Sequence, residues 1–75
     1  SEEWQTKVVE ENKDEFESIE NEAFNKIEEL CQDRTLASVD VQKQIDKVNE
    51  TKKEATIAKI RDLTMHWIQT VFLAP

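Results

Sequence analysis

The only histidine of this chain, His66, follows Asp62 by one helical turn, close enough on a helix for a carboxylate to hold an imidazole. Such a pair is the orienting half of an acid–base centre. The nucleophile that would complete it has to come from Cys31, Ser18, Ser38 or a threonine, and none of these lies in a recognisable local motif. The plainer reading is a helix-surface pair beside an apolar seam. Phosphate loops are excluded because the chain has no glycine, and a calcium loop lacks its glycine turn for the same reason. Cys31 stands alone, so there is neither an internal disulfide nor a cysteine pair for a metal. Carboxylate runs such as Glu10-Glu11 and Glu28-Glu29 read as solvated faces. The expectation is no enzyme, no cofactor, and no catalytic or metal-binding residue.

What the residues support instead is apolar recognition. The segment from Leu63 to Leu73 is the most apolar of the chain and contains Trp67, Ile68, Val71 and Phe72. Three readings exist for it: a core or self-association surface anchored by Trp67, a hot spot for a different protein, or a membrane-contacting end. The last is the weakest, because no Lys or Arg flanks the segment. The candidate interaction surface comprises Phe24, Cys31, Ile57, Ile60, Leu63, Trp67, Ile68, Val71 and Phe72.

Long helices must position these residues. A glycine-free stretch of 75 residues would arise by chance in roughly one chain in 200. The single proline, Pro75, is the last residue. Without glycine for tight turns or proline to break helices, long helix is what the chain forms most easily. From Phe16 the apolar residues Ile19, Ala23, Ile27 and Leu30 recur every three or four positions, which is one helical face. Val8 and Val9 precede them, and Asn12 adds one polar layer to the stripe. Phe24 and Cys31 widen it on one shoulder. The pattern predicts a first helix from about Glu2 to Asp33.

A second stripe runs through Val41, Ile45, Val48, Lys52, Thr56, Ile60, Leu63, Trp67 and Val71. Its mean step is longer than the ~3.6 of an α-helix, so the seam is expected to drift and a full-length coiled coil is disfavoured. From Ile57 the apolar arc broadens to more than half the circumference. The break falls at Asp33–Asp40, with a turn at residues 34–38 in ordinary backbone conformations, Ser38 as N-cap and a second helix over 39–72. A continuous rod and a third helix restarted at Thr51-Lys52-Lys53-Glu54 are the alternatives. In a hairpin, Trp4 meets the Trp67–Phe72 end.

The chain is acidic, with 17 acidic against 10 basic residues and a net charge of −7. Residues 1–34 account for the acidity, while the remainder is nearly balanced. That excludes a nucleic-acid surface and fits an anionic membrane poorly. It allows the acidic half to pair with the other, within one chain or between two. No signal peptide or spanning segment is visible, and a lone thiol fits a reducing, cytoplasmic setting slightly better than a secreted one. Asn49-Glu50-Thr51 has the form of a glycosylation sequon. The chain, starting at Ser1, is expected to be a processed product or a piece of a longer protein.

The fold class is therefore all-α, an antiparallel helical hairpin forming a single interaction module. A hairpin leaves Phe24, Cys31, Ile57, Ile68 and Phe72 wet, which favours assembly into a four-helix bundle or coiled-coil oligomer. The expected partner is a second copy, a dimer being favoured, or another helical protein. Asn12 and Lys52 would set the register. The expected role is a structural protein–protein interaction module for oligomerisation or scaffolding. The alternative is a regulatory module docking its Trp67 surface on a different protein.

Overall fold

A computed structural model describes residues 2–73, with the side chains of Glu2, Gln5 and Phe72 excepted. The described chain is all-helical. Helix α1 spans Glu2–Glu11, α2 spans Lys13–Gln32, and α3 spans Ser38–Trp67. A π-helical turn over Ile68–Phe72 continues α3. The chain reverses between α2 and α3, so the continuous rod is not formed, and α3 runs unbroken through Thr51–Glu54. The capping-box spacing there lies inside a helix. The molecule is a hairpin of 59 × 17 × 17 Å.

The first helix is not continuous, contrary to the expectation of one helix from Glu2 to Asp33. Asn12 interrupts it with φ −113° and ψ 22°. Its side-chain Nδ2 donates to the Val8 carbonyl at 2.9 Å, and its own backbone N–H donates to the same oxygen at 3.1 Å. A side chain that competes for the helical acceptor bends the backbone away from regular geometry. The polar layer of the stripe is thus a kink.

The turn uses residues 33–37, and no described residue has a positive φ. Asp33 organises it. Its Oδ1 accepts from the Thr35 backbone N–H at 2.9 Å and from the Thr35 hydroxyl at 2.5 Å, an Asx-type turn that needs no glycine. Ala37, rather than Ser38, is the N-cap of α3, and no side chain caps it. Its carbonyl accepts from Asp40 at 2.9 Å and from Val41 at 3.0 Å. Leu36 and Val41 stand at the two positions of a hydrophobic staple, and both are half-buried. That spacing fixes the entry angle of α3 where a hydroxyl cap was expected. Asp40 occupies the first turn, at the positive end of the helix dipole.

The core between α2 and α3 is thin. Ala23 is the one buried residue among those described, at 6% exposure. Phe16, Ile19, Ile27 and Leu30 from α2 face Val41, Ile45, Val48 and Leu63 from α3, and all are half-buried. Two lysines complete the seam of α3. Lys52 Nζ lies 3.2 Å from Glu20 Oε2, and Lys59 pairs with Glu15. Their stems cover apolar surface while their ammonium groups meet carboxylates of α2. The acidic half and the nearly balanced half are therefore joined by two ion pairs within one chain.

Candidate interaction surface

The seam of α3 departs from the stripe expected from sequence at one position. It keeps to Lys52, Thr56, Lys59 and Leu63, and Ile60 is turned outward at 47% exposure. The apolar pattern assigned that position to isoleucine. In the structure a lysine takes it, because Glu15 on the opposite helix receives its charge.

The displaced isoleucine belongs to a second stripe. Ile57, Ile60, Thr64, Ile68 and Val71 follow one another at three- and four-residue steps. At about 100° per residue they share a face roughly a quarter turn or more from the seam. Ile57 is 44% exposed and Val71 63%. Ile68 and Thr64 are half-buried. On α2, Phe24 is exposed at 64%, and Cys31, one heptad later, is exposed too. Leu63 lies in the seam. The side chain of Phe72 lies outside the described residues.

The open end of the hairpin is closed by tryptophan. The rings of Trp4 and Trp67 lie 5.7 Å apart at 58°, a tilted arrangement that aromatic pairs favour. This juxtaposition follows from antiparallel helices of similar length, as the sequence implied. Beyond it the chain widens into the π turn, closed by the Leu73 N–H on the Ile68 carbonyl at 2.8 Å. Leu73 is exposed beside it.

The two sides of the hairpin differ. On one, Glu22 and Lys26 of α2 and Gln44, Lys47 and Thr51 of α3 rim a shallow groove of about 220 Å³. Lys26 and Glu22, one turn apart on α2, pair along its rim at 3.3 Å. Phe24 and Cys31 on α2, and Ile57 and Ile60 on α3, lie about half a turn from those rim residues. They therefore share the opposite side. The groove floor is apolar, with Ile19, Ala23, Val48 and Ala55 between the polar rims, and exposed Met65 lies on that side too, while Phe24, Ile57 and Ile60 gather on the other.

Groups capable of chemistry do not converge. Asp62 and His66 are both exposed, and no ion pair joins them among the described residues. The hydroxyls of Thr56, Thr64 and Thr70 donate to the carbonyls of Lys52, Ile60 and His66 at 2.9, 2.8 and 2.7 Å, each within its own helix. No group of three or more His, Cys, Asp or Glu able to hold a metal occurs among the described residues. Among them, too, no helix is long and apolar enough to cross a membrane. The thiol of Cys31 is exposed. The hydroxyl and the backbone N–H of Thr35 hold the Asp33 carboxyl below the usual aspartate range. That shift belongs to the turn. Comparison with protein-family models, curated proteins and solved structures returns no match for this chain.

Proposed function

We propose that this chain is a structural protein–protein interaction module, acting in oligomerisation or scaffolding by packing its hairpin against further helices. The observation that carries this reading is exposed area. A compact protein of 8.8 kDa exposes about 4,800 Å² by the usual scaling of area with mass. This hairpin exposes 6,279 Å². Its radius of gyration is 16.8 Å, against about 11 Å for a compact chain of this length. Two helices can each bury one face only. The Ile57–Val71 stripe and Phe24 are left as a second face that this hairpin covers only in part.

Light scattering across a concentration range, with helicity recorded on the same samples, tests the reading. A highly helical species of more than one chain is expected. A stably helical single chain at every concentration would overturn it. A poorly helical single chain would favour instead a docking segment that orders on a different protein.

A further inference from the structure

We infer that the missing helical layer is a second copy of this chain, related by a two-fold axis parallel to the helices, so that α3 of each copy packs on α2 of the other. The inference rests on the association reading above and adds the identity and orientation of the partner. Three observations lead to it.

The first is the placement of the exposed apolar groups. Phe24 lies on α2 and Ile57 and Ile60 on α3, all on the side opposite the groove rimmed by Glu22, Lys26, Gln44, Lys47 and Thr51. One face of the hairpin can therefore meet the same face of a second hairpin, as a two-fold contact requires.

The second is area. Two copies joined in one compact body of twice the mass would each cover about 2,300 Å² by the same mass scaling. The total of about 4,600 Å² falls in the range of obligate homodimers. A single further copy joined in such a body would thus bury the area that a stable homodimer needs.

Charge then selects the orientation. Residues 2–32 hold eleven acidic and three basic side chains, while residues 38–67 hold five acidic and six basic. The strip α1–α2 is thus −8 and α3 is +1. When two hairpins stack face to face, an axis perpendicular to the helices would lay α2 on α2 and put the acidic strips side by side. An axis parallel to them makes every neighbouring pair an α2 with an α3, and the two α2 helices meet only across the diagonal. The single hairpin already joins these helices through Lys52–Glu20 and Lys59–Glu15. The parallel axis repeats that match between copies, with Lys53 of one near the level of Glu17 and Glu20 of the other. It also gathers both Trp4–Trp67 pairs at one end and both turns at the other.

A distance between the two turns reads the orientation directly. The full chain carrying Cys31→Ser and Arg34→Cys, labelled with a nitroxide at the new thiol, is measured by double electron–electron resonance. Arg34 is exposed in the turn. Light scattering and helicity of the labelled chain are recorded alongside. The parallel axis places the two labels within about 25 Å, since packed helices lie 8–10 Å apart. The perpendicular axis puts the turns at opposite ends of a body 59 Å long, and label distances on the order of 50 Å follow. A dimer with the short distance supports the inference. A dimer with the long distance overturns it and leaves the association module standing, as does an assembly of three or more chains. A helical single chain removes the association reading and the inference together.

Discussion

Asn12 and Asp33 are the two positions where a side chain takes over part of the backbone's bonding, and each makes a measurable difference. At Asp33 the carboxylate holds the turn by accepting two hydrogen bonds from Thr35. Its pKa is lowered in the folded chain from an ordinary 3.8. A carboxyl with a depressed folded pKa contributes stability above its unfolded value and loses it as pH falls through the folded one. Asp33→Asn keeps an acceptor oxygen and removes the charge. The melting temperature of the parent chain should therefore exceed that of the variant at neutral pH, with the gap closing as pH falls below 3.8 through the lowered folded pKa. A gap that stays constant through the acid range would mean that the charge has no part in the turn. At Asn12, replacement by leucine removes the competing donor to Val8 and adds a better helix former. Asn12→Leu should raise the melting temperature by a few degrees, on the order of 4–8 °C per kcal/mol gained. It should also broaden the distribution of oligomers seen by sedimentation, because a kink that fixes the entry of α1 has been straightened. An unchanged distribution would deny Asn12 any part in register.

At the scale of elements, α2 and α3 approach each other over Ala23, whose small side chain allows close packing at the middle of the seam. Ala23→Leu adds three carbons at the buried point where the two helices meet and should cost about 1–3 kcal/mol. A fall in melting temperature of at least ~5 °C is the expected reading. A rise would show that the seam has room and that the helices are less tightly apposed than the burial of Ala23 implies. The pairing of these helices was legible in the chain before any coordinates. The spacing of Phe16, Ile19, Ala23, Ile27 and Leu30 can only be one helical face, and the absence of glycine left the turn few places to fall. The meeting of Trp4 with Trp67 followed from the lengths on either side of that turn. Other features depended on what the sequence does not encode locally. The break at Asn12 arises from a back-bond to Val8, while asparagine in mid-helix is by propensity only mildly unfavourable. The exchange of Ile60 for Lys59 in the seam requires knowing that Glu15 stands opposite. A pattern of hydrophobicity gives that place to the isoleucine. The N-cap moved to Ala37 because the Leu36–Val41 spacing and the Asp33 turn set the entry of α3 without a hydroxyl.

For the whole molecule, the consequence of that exchange is a hairpin with two faces of different use. One is held by a thin core and two lysine–carboxylate pairs; the other carries isoleucines that the single hairpin covers only in part. If the second face joins two copies, it should be separable from folding. Ile57→Asp together with Ile60→Asp puts charge into the joined face and removes groups worth about 1.5–3 kcal/mol each on full burial. Each dimer carries the change twice. The dissociation constant should rise by at least ~100-fold, equivalent to about 2.7 kcal/mol. The melting temperature should then lose its dependence on chain concentration, since an associating fold is stabilised by mass action and a single hairpin is not. Gln44→Asp with Thr51→Asp adds the same two negative charges on the groove side, where both residues are already exposed, and should leave the mass unaltered. Equal loss of mass in both variants would point to a general effect of added negative charge on a chain that is −7 to begin with. Equal retention would move the contact away from Ile57 and Ile60, towards the open end where Val71 and Leu73 are exposed. Only dissociation confined to the first variant ties the association to the stripe that the lysine seam turned outward.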